Sequence, residues 1–397
     1  MGSLELEGSD EEGIAKRLWN KFKNERALAL YSPFVVCLAS GALNPDSFLQ
    51  CISQNVLLSS SFCSGYELAE EYADDEEYKE AIVKLRKRVL KSFISKEIQA
   101  LLNPDDTEHI YKKWLNSLSS QKFEASASSI EDLLDKLSIS LTGEELDVVE
   151  RLYHRAMKLE LEFIWSQPVL QQTIVPFSRM NNSADNLIIF CDFDLTCTAI
   201  DSSALLAELA IVAATNVSEP SVPSTGIRTT WSNLFEQYVE EYRQCMESIV
   251  PSEADGDKSP QGNENVFNVH SNDLVYQDSI STGEMIRKMD SPMDKLRAFN
   301  NVINCSSNSV KPKTVYIGGS VGDLLCLLEA DVGIIGSSSS LTRLGNRFGI
   351  SFVPLFPGLV TKHKELAETG SLIHKGPSNV LYTVSNWDEI YAFVLGQ

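Results

Sequence analysis

Two periodicities divide the chain. Over residues 12–167 the apolar positions recur on three- and four-residue steps, the spacing that gathers side chains on one helix face. In "EEGIAKRLWNKFKNERALAL" they fall at Ile14, Leu18, Phe22 and Leu28 to Leu30. "NPDSFLQCISQNVLLSSSF" opens with Asn44-Pro45-Asp46, a capping residue with proline just inside the helix, where its missing N–H is no loss. "TGEELDVVERLYHRAMKLELEFIW" opens with Thr142 and Glu145 at capping-box spacing. Leu146, Val149, Leu152, Tyr153, Ala156, Leu159 and Phe163 follow as one apolar stripe. No β-rich run interrupts, so residues 12–167 are expected to form an all-α bundle.

Residues 168–186, with Pro168, Pro176 and "NNSADN", read as a linker. The pattern then changes for residues 187–397. Short apolar runs, Leu187–Cys191, "TVYIGG", "VGIIG" and "FVPLF", are expected as strands, the last three spaced by the helical stretches "DLLCLLEA" and "SLTRLGNRFG". Such alternation predicts a parallel sheet with crossover helices. "SSALLAELAIVAA", "WSNLFEQYVEEYRQCMESIV" and the polar loop 251–265 predict a small helical cap over about 201–265. The fold class is therefore multi-domain: a helical bundle followed by an α/β Rossmann-like domain with a reduced cap.

Charge narrows the functions open to it. The 397 residues carry a net charge of −21, which repels phosphate backbones and argues against nucleic-acid partners. No apolar run approaches the roughly 18–20 residues that span a bilayer. The start, "MGSLELEGSDEEG", has neither an apolar signal core nor an Arg-rich transit pattern, so a cytoplasmic protein is expected, with a mitochondrial address for a longer form. The eight cysteines are scattered and make no CxxC pair, which favours reduced thiols over a disulfide frame or a zinc site.

The chemistry concentrates at "LIIFCDFDLTCT". In an open α/β sheet ligands bind beyond the carboxyl ends of the strands. Asp192 and Asp194 stand directly past the strand 187–191, followed by Thr196. One acid there would read as a helix cap; D-x-D-x-T after a buried strand reads as a site.

This motif resembles motif I of the haloacid dehalogenase superfamily. The resemblance implies an aspartyl-phosphate nucleophile at Asp192, a general acid and base at Asp194, phosphoryl contact at Thr196, and Mg²⁺ held by acids that include Asp192 and Asp194. It assigns the phosphate-binding lysine to Lys295 in "SPMDKLRAF" and a late metal acid to Asp323. Gly319 stands where that family carries the first late acid. The Ser or Thr expected after a second strand has no clear counterpart, "VFNVHS" (266–271) being the nearest.

The helical half resembles the TenA/thiaminase-II family in "PFVVCLASGALNPDSFLQCISQNVLLSSSF" (33–62) and "RAMKLELEFIW" (155–165). That resemblance implies a catalytic glutamate at Glu160, with Glu162 as fallback, and a substrate contact at Asn55, where the family carries aspartate. No cysteine followed by tyrosine stands at the family's nucleophile position, and one or two helices are missing from its pattern. The two resemblances in this order match a plant family joining a TenA-like domain to a thiamin monophosphate phosphatase, here in shortened form. They imply a small-molecule substrate, thiamin monophosphate or a related phosphomonoester, and self-association through the helical half. The alternative is a catalytically weakened relative that binds a thiamin-type ligand or a partner.

Overall fold

A computed structural model describes residues 13–94, 110–180, 187–198, 269–305, 312–369 and 379–397, save 74, 113, 116–120, 278–279 and 337, with short helical pieces between 206 and 240. Most of the cap expected over about 201–265, residues 266–268 of "VFNVHS" and the stretch 95–109 lie outside the described residues. The chain divides into two compact units. One joins residues 1–180 to 359–371 and 391–397; the other holds 181–358 and 372–390.

The first unit is helical. Its elements are α1 (Ile14–Lys21), α2 (Lys23–Leu30), α3 (Pro33–Ala39), α4 (Pro45–Tyr72), α5 (Glu76–Ile94), α6 (Gln121–Ser138) and α7 (Gly143–Trp165). The starts follow the local chemistry. Ser32 caps α3 by accepting from Val35 N at 3.3 Å, and Asn44 caps α4 by accepting from Asp46 N at 2.8 Å, each with proline next. The expected Thr142–Glu145 capping box forms at α7. Ile14, Leu18 and Phe22 of the first helix and its cap bury against Leu134 of α6 and Leu146, Val149 and Tyr153 of α7. A second cluster gathers Phe34, Cys37, Leu38, Leu43, Phe48, Cys51 and Tyr111.

The α7 stripe is only partly buried. Of its residues, Leu152 is exposed by 60% and Leu159 by 55%, and Val148 beside the stripe is exposed too. Residues 168–180, expected as the start of a linker, pack on this unit instead. Gln171 donates to Ala42 O at 2.6 Å and accepts from Asn44 N at 3.0 Å, while Ile174, Val175, Phe177 and Met180 are buried. Among the described residues, no helix is long and apolar enough to cross a membrane.

The second unit is α/β. Strands β1 (Leu187–Cys191), β4 (Lys313–Gly318), β5 (Val332–Ile335), β6 (Ser351–Pro354) and β7 (Val380–Thr383) form one sheet in the order β1-β4-β5-β7-β6, every pairing parallel. β4 and β5 are central and almost wholly buried, as continuous apolar runs in a parallel sheet should be. The elements α8 (Pro292–Cys305), α9 (Leu324–Glu329), α10 (Ser339–Arg347), α11 (Leu355–Thr369) and α12 (Trp387–Val394) alternate with them. β2 (Asp273–Gln277) and β3 (Ile280–Ile286) make a separate antiparallel hairpin that the sequence reading did not anticipate. Among the described residues no strand pairs with the second edge of β1. Residues 269–271 of the candidate "VFNVHS" are not strand.

Residues 359–371, from α11, belong with the helical unit. There His363 is buried, its Nε2 3.3 Å from Cys37 Sγ and its Nδ1 2.9 Å from Ser40 Oγ. Burial holds the His363 imidazole below its ordinary value of 6.5, against the opposing pull of a hydrogen bond that the ring donates to the Gln172 backbone. The fold therefore keeps the neutral ring, and the unfolded chain takes the proton first as pH falls. The contribution is whole above pH 6.5 and drains as pH drops toward the lowered folded value, with a slope of at most about 1.4 kcal/mol per pH unit. Urea midpoints between pH 7 and pH 5 will fall for the native chain and flatten for His363→Gln; equal slopes would remove His363 as a cause.

Candidate active site

The sheet delivers the aspartate motif. Asp192 N still donates to Ile317 O at 2.9 Å, so the first acid sits where parallel pairing ends. The chain then turns sharply. Leu195 takes a left-handed φ of 57°, and the Phe193 carbonyl accepts from Cys197 N at 2.9 Å and Thr198 N at 3.2 Å. A leucine in that region costs roughly 1–2 kcal/mol, which the turn hydrogen bonds offset. Asp194 is half-buried on this turn, and Cys191 and Cys197, at its two ends, have their sulfurs 3.1 Å apart.

Lys295 arrives from α8. Phe299 and Ile303 on that helix are buried in the sheet's core cluster, and Lys295 lies four residues before Phe299 on the same face. Burying those two apolar groups therefore aims the lysine at the strand ends. Its Nζ stands 2.9 Å from Asp192 Oδ1 and 2.9 Å from Asp323 Oδ1.

Asp323 closes the short turn Val321–Asp323 after β4 and is wholly buried. Both its oxygens are engaged. Oδ1 also accepts from Tyr316 OH at 3.0 Å; Oδ2 accepts from Ser320 N at 2.9 Å and Ser320 Oγ at 2.6 Å. Gly318 is required beside it, because an added Cβ would come within 2.8 Å of the Asp323 carboxyl carbon. Gly319 is different: a Cβ there meets only Thr196 Oγ1, at an ordinary 3.7 Å.

One ammonium thus faces two carboxylates. Burial, and then the charge of Asp323, lift the Asp192 carboxyl above its ordinary value against the pull of Lys295. For Lys295 burial works against the charged form, but Asp323 and Asp192 outweigh it and hold the ammonium above its usual value. A negative charge remains in excess at the sheet's carboxyl end. Among the described residues, no group of three or more His, Cys, Asp or Glu side chains is placed to hold a metal ion. The side chain best suited to a hard cation here is the Asp192 carboxylate, with Asp194 beside it on the turn, since Asp323 is saturated with donors and position 319 offers no side-chain oxygen.

The sequence-predicted residues thus meet in part. Asp192, Lys295 and Asp323 come into direct contact, Thr196 faces Gly319, and Asp194 shares the turn. Sequence reasoning missed Tyr316 and Ser320. Ser320 carried a readable signal, since Ser three residues before an acid is a capping box; Tyr316 looked like any core aromatic.

In the helical unit, Asn55 Nδ2 donates to Cys51 O at 3.2 Å and Cys51 Sγ at 3.4 Å. Glu160 is exposed, yet the packing around it raises its carboxyl above the usual range. Burial first, with Glu160's charge adding and the Asn55 hydrogen bond opposing, pushes the Cys51 thiol up to about 11. Gln54 accepts from Gln167 Nε2 at 2.9 Å. These residues cluster, but the thiol is held protonated at neutral pH.

Replacing Lys295 by methionine leaves Asp192 and Asp323 without their shared cation. The expected loss is about 2–3 kcal/mol in urea denaturation, with Asp192→Asn adding little on top. Additive losses would mean that the three groups are not coupled.

No protein-family model matches the chain, and no solved structure matches it. A curated relative does: the bifunctional TH2 protein, mitochondrial, of Arabidopsis thaliana, 36% identical over 562 aligned residues that cover 99% of this chain and 91% of that protein. The aligned length exceeds the 397 residues of this chain, so the relative carries segments that this chain lacks. A parallel-sheet unit with an acid pair at its strand ends, a helical unit before it, and near-complete coverage at this identity together lead to one conclusion: the chain belongs to the plant bifunctional TH2 family.

Proposed function

We propose that the chain is a phosphomonoester hydrolase of thiamin metabolism that releases phosphate from thiamin monophosphate or a close analogue. The observation that carries this reading is Lys295 Nζ at 2.9 Å from both Asp192 and Asp323, beyond the carboxyl ends of a parallel sheet. The α/β unit is taken as haloacid dehalogenase-like and the helical unit as a shortened TenA-like bundle.

In this mechanism an Asp192 carboxylate oxygen attacks phosphorus and the ester P–O bond breaks. Asp194 gives its proton to the departing alkoxide. Water then attacks the aspartyl-phosphate, Asp194 takes that water's proton, and Asp192 is regenerated as phosphate leaves. Lys295 draws phosphoryl oxygens toward the nucleophile, while Asp323, held by Tyr316 and Ser320, keeps the ammonium charged and in place. Thr196 orients the phosphoryl group. Mg²⁺, held at the Asp192–Asp194 turn through the Asp192 side chain, with Asp323 acting behind Lys295, would supply the positive charge that lets a carboxylate approach a phosphate dianion.

A second reading, a weakened relative that binds a thiamin-type ligand, is favoured by Gly319 and, among the described residues, by the unpaired second edge of β1. In the helical half, Glu160 and Asn55 would face the aminopyrimidine, but a Cys51 thiol pushed to about 11 is a poor nucleophile. The exposed Val148, Leu152 and Leu159 on α7 support self-association through this half. The mitochondrial address expected for a longer form is supported by a relative described as mitochondrial; nothing in that relative supports a cytosolic one.

The purified chain with Mg²⁺ will release phosphate from thiamin monophosphate, and Asp192→Asn will lower the rate by about 10³-fold or more. Gly319→Asp, which the open space at 319 admits, will raise it by about tenfold through an added carboxylate. Silence from both the native chain and Gly319→Asp, with thiamin still raising the melting temperature, would replace the hydrolase by the binding reading.

A further inference from the structure

We propose that Cys191 and Cys197 are a reversible dithiol–disulfide pair that staples the aspartate turn. Their sulfurs are 3.1 Å apart and both residues are exposed, whereas Cys37, Cys51, Cys63 and Cys326 are buried. Closing the bond to about 2.05 Å asks for a shift of roughly 1 Å. The backbone has already made the chain reversal that the bond requires. Cys191 is paired through β1 with Ile317, and Cys197 N is tied to Phe193 O at 2.9 Å across the left-handed Leu195. Neither sulfur has a role in the hydrolysis described above.

The oxidant is a small-molecule disulfide of the glutathione class. Cys197 Sγ, as thiolate, attacks one sulfur of oxidised glutathione; that S–S bond breaks and one glutathione leaves, taking up a proton. Cys191 Sγ then attacks the Cys197 sulfur of the mixed disulfide and releases the second glutathione. The protein loses two hydrogens, and oxidised glutathione gains two electrons and two protons.

The bond would matter because Asp192, Asp194 and Thr196 all lie between the two sulfurs. A displacement of about 1 Å at a catalytic group lowers turnover by about 100-fold. This consequence rests on the phosphatase reading; the bond itself does not.

The test uses the full chain equilibrated in reduced and oxidised glutathione at graded ratios, then alkylated and digested with trypsin. The only cysteines in the tryptic peptide Met180–Arg228 are Cys191 and Cys197. Under oxidising ratios it is expected lighter by two hydrogens, with alkylation of both thiols falling together by about tenfold or more and returning after dithiothreitol. Undiminished alkylation, or a persistent glutathione adduct on one sulfur, overturns the proposal. In Cys197→Ser the same treatment is expected to leave Cys191 open to alkylation or carrying glutathione. Phosphate release measured in the same buffers should fall about 100-fold in the native chain and hold steady in Cys197→Ser. Unchanged turnover in the stapled chain would overturn the regulatory consequence. A stapled peptide from a chain with no turnover even when reduced would support the bond and sink the phosphatase reading instead.

Discussion

The α/β unit depends on one ammonium shared by two acids. Asp323 has no solvent to lean on, and a buried carboxylate without a cation or donors is costly by several kcal/mol. Lys295, Tyr316 and Ser320 together meet that need. The lysine can do so only while Phe299 and Ile303 hold α8 on the sheet, and Ser320 only while the turn after β4 keeps its tight geometry. Packing of the core and poise of the site are therefore one constraint. The same ammonium that stabilises the buried acid also faces Asp192.

Two neighbouring glycines divide the work at the end of β4. Gly318 is small because the Asp323 carboxyl fills the space a side chain would need. Gly319 has room beside Thr196 and leaves it empty. The first is a packing requirement; the second is an opening at the point where an acid would join Asp192. A family member can thus keep its scaffold while its electrostatics are retuned at one position.

Periodicity was enough to read the long elements. The three- and four-residue steps of Ile14, Leu18 and Phe22 and the Thr142–Glu145 pair set the helices, and continuous apolar runs set β1, β4 and β5. Asp192 and Asp194 were legible from local rules, as an acid pair directly past a strand; Lys295 and Asp323 were reached only through the family resemblance of that motif. What stayed hidden has no local signature. The hairpin of β2 and β3 is polar on much of its length, and β7 is a four-residue strand that pairs far along the chain. The burial of residues 168–180 escaped notice because proline and polar residues suggest a spacer, whereas Gln171 uses both ends of its amide to tie that segment down. Tyr316 reads as core until its hydroxyl is seen on Asp323. Leu152 and Leu159 fit the helical stripe yet remain in water, because a stripe says only which residues share a face and not what meets it.

The helical unit draws its last members from the far end of the chain, residues 359–371 and 391–397. His363 on one of those pieces meets Cys37 and Ser40 near the start. No single cut can release this unit whole: a fragment ending at 180 would expose the surface that Leu359, Leu366 and His363 fill. The two units are interleaved in sequence, so gain, loss or transplantation of one must carry segments of the other with it.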